Sequence, residues 1–164
     1  DPVRSKSCRE LRTRRRLADN VKQAEWYVDA DTIGLGRVLA AAKLRVNWPG
    51  DDGIRLKPRD AVNPSPVMHT HMADDAWIPA VSRAGLAIIT RDKMILRRTS
   101  EINAVAAANA RMFALAVPEN LDIWGLARLT AANWPEMERL AKEPGPFICN
   151  VSWTRVRQVW PESR

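Results

Sequence analysis

Cysteine is scarce: the chain holds two in 164 residues, Cys8 and Cys149, near opposite ends. No C-x-x-C spacing occurs, so neither a zinc ribbon nor a disulfide framework is indicated. Histidine is equally scarce, with only His69 and His71. No apolar run approaches the roughly 20 residues that cross a bilayer, so no membrane span is expected. The first residues are charged and lack the apolar centre of a secretory signal, and the expected location is cytoplasmic. There is no G-x-G-x-x-G, P-loop or Ser/His/Asp arrangement, and Gly34-Leu35-Gly36 lacks the rest of a dinucleotide fingerprint. Internal repeats and low-complexity tracts are absent as well.

What the chain does have is enough length for one well-buried core, with 46% hydrophobic and 27% charged residues. Lys plus Arg number 26 against 19 Asp plus Glu, a formal +7. Such an excess favours polyanions, nucleic acid ahead of a membrane surface. The excess is concentrated at the start, where residues 1–25 hold eight basic and four acidic side chains. Residues 1–24 therefore read as a basic, partly helical arm, and residues 25–160 as the folded domain. The Arg14-Arg15-Arg16 run has two readings, a phosphate- or partner-contacting arm and a solvated helix face.

Leu86-Ala87-Ile88-Ile89 is an apolar run that reads as a strand buried on both faces. It stops abruptly in Thr90-Arg91-Asp92-Lys93. Ligands of open α/β sheets sit beyond the carboxyl ends of the strands, so Asp92 stands where a site belongs. Residues 25–28 suit a first strand, and 32–43 a helix capped by Asp31 with Leu35, Val38, Leu39 and Ala42 on one face. Residues 44–48 alternate as a second strand. Residues 49–66 form a long, turn-rich connection of a kind that is often functional. A short extended piece follows at 67–71. The helix from Asp74 runs past Trp77, Ile78 and Val81 and stops at Gly85. Thr99 or Ser100 caps an alanine-rich helix to about Asn109. Residues 111–116 make the next strand, 121–132 a helix, and Trp134-Pro135 restarts another. Residues 147–159 read as extended. Strands separated by helices give an α/β chain with a mostly parallel sheet.

Acids recur at the ends of these elements. Asp29 and Asp31 follow the first strand, Asp74 and Asp75 open a helix, and Asp92 closes the third strand. Hard cations such as Mg²⁺ or Mn²⁺ prefer oxygen ligands, and clustered carboxylates stay ionised together when a cation neutralises them. A second reading stays open on residue chemistry alone, with Asp31 and Asp74 as helix caps and Asp92 paired with Arg91 or Lys93.

The block from Asp74-Asp75-Ala76-Trp77-Ile78-Pro79 to Ala87-Ile88-Ile89-Thr90-Arg91-Asp92-Lys93-Met94-Ile95-Leu96-Arg97-Arg98 resembles the PIN-like family related to VapC-type toxins. There an acid-acid-x-Trp helix start precedes a strand ending in Thr-Lys/Arg-Asp-Lys, then an Ile and paired basics. Phe113-Ala114-Leu115 is similar to the strand that follows, and Asp29 to the opening acid. The resemblance spans residues 25–118 well, and the rest of the domain loosely. It implies a three-layer α/β/α fold with a central, mostly parallel sheet, and a Mg²⁺- or Mn²⁺-dependent endoribonuclease. By the same resemblance Asp29, Asp75 and Asp92 are catalytic, and Asp29, Asp74, Asp75 and Asp92 are the metal ligands. Thr90 orients the site, and Arg91, Lys93, Arg97 and Arg98 meet RNA phosphates. Adjacent aspartates stand where the family usually has a Glu as the middle acid. The implied partners are RNA and an antitoxin protein, with a homodimer as the candidate assembly and no membrane contact. The alternative is a PIN-like module that binds RNA or protein without cutting.

The remaining candidates have ordinary explanations. His69 and His71 would share one face of a strand, as ligands or as loop residues near a turn. Trp77 reads as core. Trp124, Trp134, Trp153 and Trp160 read as core or partner surface, and RNA stacking by Trp153 or Trp160 beside Arg155 and Arg157 is the weaker alternative.

Overall fold

Trp26, Tyr27 and Val28 form strand β1 (Trp26–Val28), buried throughout, and successive side chains enter opposite layers of the protein. Trp26 packs on Phe113 and Trp134, with ring centroids 5.4 and 4.7 Å away. Tyr27, on the other side, stacks on Trp77 at 5.5 Å. This is a computed structural model, and it describes residues 21–92 and 94–162. Cys8 and the Arg14-Arg15-Arg16 run lie outside the described residues.

After β1 come helix α1 (Ile33–Ala41), strand β2 (Val46–Asn47), helix α2 (Asp74–Arg83) and strand β3 (Ala87–Thr90). Helix α3 (Thr99–Ala107), strand β4 (Arg111–Leu115) and helix α4 (Ile123–Leu140) follow. The hairpin of β5 (Phe147–Val151) and β6 (Val156–Trp160) ends the domain. One six-stranded sheet results, in the order β2-β1-β3-β4-β5-β6. Every pair is parallel except β5–β6.

Helices α1 and α4 cover one face, where Leu35, Leu39, Leu126, Leu129 and Met137 pack with Val28, Ile89 and Phe113. Helices α2 and α3 cover the other, where Ile78, Val81 and Val105 meet Ile88, Met112 and Ile148. The expected three-layer α/β/α arrangement is therefore present. The central run behaves as its composition requires: Leu86, Ala87, Ile88 and Ile89 are all buried. Each buried Ile contributes roughly 1.5–3 kcal/mol. Gly85 takes φ +77 at the end of α2, which lets the chain reverse into β3. Gly36 serves strand packing, since a Cβ there would lie 3.1 Å from the Trp48 ring and 3.4 Å from Val28. Among the described residues no helix is long and apolar enough to cross a membrane.

Several local expectations are corrected. Asp31 caps nothing: a 3-10 turn, Ala30–Thr32, intervenes before α1, and Asp29 accepts the Ala30 N–H at its head. Thr99 and Ser100 lie inside α3, one step too late to cap, and Arg98 holds the N-cap position without a side-chain cap bond. The helix expected to restart at Trp134-Pro135 is instead continuous through Pro135. Leu126, Leu129 and Met137, on either side of that proline, bury against the same sheet face, which keeps both halves on one axis. Residues 67–71 form bends and turns rather than a strand, so His69 and His71 do not share a strand face.

The connection at 49–66 is ordered around one buried carboxylate. Asp51 accepts from Gly53 N at 3.0 Å, Asn47 Nδ2 at 3.1 Å, and both Nη atoms of Arg55 at 2.9 and 2.8 Å. Arg55 also donates to Val46 O at 2.7 Å and lies over the Trp48 ring. The start of the described chain is tied to the same segment, because Ala24 N donates to Asn63 Oδ1 at 2.6 Å.

Candidate active site

Parallel strands deliver their carboxyl ends to one edge, and two acids arrive there on neighbouring strands. Asp29 follows the last residue of β1, and Asp92 lies two residues beyond β3. Thr90, 1% exposed at the end of β3, connects them. Its hydroxyl donates to Asp29 Oδ2 at 3.1 Å and accepts the Asp92 N–H at 3.1 Å. Asp29 N also donates to Ile89 O at 3.0 Å, so its backbone is an extension of the β1–β3 pairing.

The carboxylate environments differ. Burial holds the Asp29 carboxyl above its usual range, hydrogen bonds from Ala30 and Thr90 oppose the shift, and the charges of Asp31 and Asp74 add to it. Asp92 is fixed from both sides, since Oδ1 accepts Met94 N at 2.7 Å and Oδ2 accepts Arg98 Nη1 at 3.2 Å. Asp74 opens α2 and accepts the Trp77 indole N–H at 2.7 Å. Its charge acts on Asp29, Arg98 and Glu101 alike.

Asp75 faces elsewhere. It is exposed and lines a separate cleft of about 600 Å³ with Pro79, Arg83, Ser100 and Asn103. Of the two adjacent aspartates, Asp74 is the one the fold turns toward the sheet edge. A helix turns about 100° per residue, so neighbouring positions cannot both face one point.

Glu101 is the acid that the sequence pattern passed over. It sits in the first turn of α3, 3% exposed, on the stripe that also buries Ala104 and Val105. Oε1 accepts Arg98 Nη1 at 2.5 Å, and Oε2 is buried with no hydrogen-bond partner. Burial raises its pKa, the Arg98 hydrogen bond and charge oppose this, and the charges of Asp74 and Asp92 reinforce it. An acid on the apolar stripe of an alanine-rich helix was the available signal, because helical surface positions rather than core ones normally carry charge.

The basic residues divide by role. Arg98 donates to both Asp92 and Glu101 and thus partly neutralises the carboxylates. Arg91 donates to Pro118 O at 2.8 Å and also to Glu119 O, bracing the loop after β4. Arg97 and Arg91 line, with Asp31, Asp92, Met94 and Glu119, an open cleft of about 540 Å³. Lys93 lies outside the described residues. Cys149 is fully buried on β5, and burial pushes its thiol up to about 12, so it is inert at neutral pH.

Among the described residues no three carboxylate, imidazole or thiol groups gather around one point to form a ready metal cage. In kind, the donor set fits a hard cation. Asp29, Asp92 and Glu101 offer carboxylate oxygens, Asp29 is buried with the charges of Asp31 and Asp74 acting on it, and one Glu101 oxygen is buried without a hydrogen-bond partner.

Comparison with known proteins agrees with this architecture. A family model described as a PIN like domain matches residues 55–117, the segment from the 49–66 connection through α2, β3, α3 and β4. No curated protein and no solved structure matches the chain. The matched segment contains Asp74, Thr90, Asp92, Arg98 and Glu101, and over that segment the chain is similar to a PIN like domain.

Proposed function

We propose that the protein is a metal-dependent endoribonuclease that hydrolyses RNA phosphodiester bonds, and that it is the toxin of a toxin–antitoxin pair. The observation that carries the nuclease reading is the chain of hydrogen bonds from Asp29 through Thr90 to Asp92 and on through Arg98 to Glu101 at the carboxyl edge of a parallel sheet, with the charge of Asp74 acting on Asp29, Arg98 and Glu101. PIN-like domains are in general nucleases, which gives the reading its reaction class. The toxin assignment rests on the likeness of residues 74–98 to VapC-type proteins. An inhibitory protein encoded beside this one, and growth arrest relieved by it, would be its signature.

In this mechanism Asp29, Asp74, Asp92 and Glu101 would hold Mg²⁺ or Mn²⁺. Such an ion supplies charge stabilisation on the scissile phosphate and acidifies water. Thr90 ties the Asp29 carboxylate to the Asp92 backbone, so the two acids are positioned before substrate arrives. Arg98 holds Asp92 and Glu101 at a workable distance without a cation. Arg97, exposed on the cleft wall, meets the phosphate backbone, while Arg91 shapes the same wall from its bonds to Pro118 and Glu119.

The absence of a ready cage among the described residues, with Arg98 already paired to two of the acids, favours a second reading. In it the domain binds RNA or protein without cutting. Calorimetric titration with Mn²⁺ separates the two. A saturable site weakened by Glu101→Gln supports the nuclease, and the lack of any saturable site supports the binding module.

A further inference from the structure

Arg55 and its two neighbours reverse the usual order of inside and outside. The Arg55 guanidinium turns inward, where both Nη atoms meet the buried Asp51 carboxylate and Nη2 also donates to Val46 O at 2.7 Å. Ile54 and Leu56, on either side of it, stay in water at 74% and 100% exposure. With Ala40 and Ala41 of α1 and the half-buried Trp48 they line a cleft of about 400 Å³. Aliphatic side chains gain free energy by burial, so a contiguous apolar cleft held open to water marks a surface that something covers.

The wall of this cleft is braced, and its rim is cationic. Asp52 Oδ1 accepts the Ile54 N–H at 2.9 Å, and the 3-10 turn Pro58–Asp60 closes with Asp60 N donating to Lys57 O at 2.9 Å. A wall held this way loses little freedom on binding. Arg37, Lys43 and Lys57 line the cleft together with a single acid, Asp60. Among the described residues none of these three cations pairs with a carboxylate. The rim therefore carries a positive charge that the fold itself leaves uncompensated.

We propose that this cleft docks an acidic amphipathic helix of a partner protein. Its aliphatic side chains would seat against Ile54, Leu56 and Trp48, and its carboxylates would meet Arg37, Lys43 and Lys57. An apolar channel with a rim of one charge suits a helix of the opposite charge. A peptide adding as a strand finds the Val46 carbonyl of edge strand β2 already taken by Arg55. A nucleic acid base finds the Arg55 guanidinium over the Trp48 ring, 4.8 Å from its centroid, and otherwise aliphatic lining. A second copy brings a net charge of +7, and residues 1–20 of the same chain hold seven Lys/Arg against three Asp/Glu, so both carry the wrong sign. None of Asp29, Asp74, Asp92 and Glu101 lines the cleft, and the inference stands apart from the nuclease reading.

The test is fluorescence polarisation of a labelled synthetic peptide of roughly 18 residues, with Leu along one helical face and Glu elsewhere. A matched peptide carries Lys in place of every Glu. The acidic peptide is expected to bind saturably and more weakly as salt rises, and the basic one not to bind. Leu56→Ser is expected to weaken binding about 10-fold, the scale of one lost apolar anchor, and Leu56→Met to retain most of the affinity. Lys57→Glu is expected to weaken it at low salt and much less at high salt. Unchanged thermal unfolding of Leu56→Ser supports the assignment by tying the loss to the surface. Wild-type affinity in Leu56→Ser overturns the proposal, as does equal binding of the two peptides or no saturable binding of the acidic one. Binding to phosphatidylserine vesicles that Leu56→Ser abolishes overturns it in favour of a membrane surface. A dimer that Leu56→Ser dissociates overturns it in favour of a second copy.

Discussion

The Thr90 hydroxyl donates to Asp29 Oδ2 across the β1–β3 pair at 3.1 Å and has almost no exposure to solvent. Its oxygen also accepts the Asp92 N–H, so one buried side chain sets the spacing of two acids that lie 63 residues apart. Thr90→Val keeps the shape and removes both hydrogen bonds. Urea denaturation should show a loss of about 1–3 kcal/mol. RNA cleavage should fall roughly 10-fold, mostly in kcat, because positioning rather than substrate contact is lost. Full stability together with full activity would contradict the role.

Adjacent aspartates offer a matched comparison. Asp74 acts on Asp29, Arg98 and Glu101, whereas Asp75 lines the separate cleft beside Arg83. Asp74→Asn should lower cleavage roughly 100-fold, the scale of losing one electrostatic group at a reacting centre. Asp75→Asn should leave cleavage near wild type. The reverse order of effects would move the middle acid to Asp75.

Glu101 gives a pH signature. Its folded pKa is raised, chiefly by burial, so the stability it contributes is fully present below the unfolded value of about 4.3. That contribution is lost as pH rises through the folded pKa. In EDTA, Glu101→Gln should therefore gain on the wild type as pH climbs from about 4 toward neutrality. Thermal unfolding of the two proteins across that range checks it, and a constant gap would argue against an uncompensated carboxylate.

Asp51 is the buried carboxylate around which the 49–66 connection is ordered. Removing it strands Arg55, whose side chain is largely buried. Asp51→Ala should cost about 3–5 kcal/mol, read as a lower urea midpoint. Protein that remains folded should keep its Mn²⁺ affinity, since the hydrogen bonds of Asp51 go to Asn47, Gly53 and Arg55 and to none of Asp29, Asp74, Asp92 and Glu101.

The α/β class and the parallel sheet were legible because β3 is apolar on both faces and its flanking helices carry clear stripes and stop signals. Asp29 and Asp92 were placed by the same logic, since residues just past strand ends must gather at one edge, whereas Thr90 entered through the family resemblance. What was hidden depended on rotation and on competing bonds. Whether Asp74 or Asp75 faces the edge is set by the phase of α2, which a two-residue acid pair does not reveal. Glu101 looked like an ordinary first-turn acid, and only packing against Ala104 and Val105 exposes it as a buried carboxylate. Pro135 mimicked a helix start, yet the burial of Leu129 and Met137 on one face outweighs its missing N–H.

The central claim is that carboxylates at this edge cut RNA. A mixed structured RNA pool should be incubated with wild type in Mn²⁺, with wild type in EDTA, and with Asp92→Asn in Mn²⁺. The account predicts cleavage in the first reaction alone, with the variant folded as judged by unfolding temperature. Equal cleavage by Asp92→Asn, or none by folded wild type at saturating Mn²⁺, would contradict it.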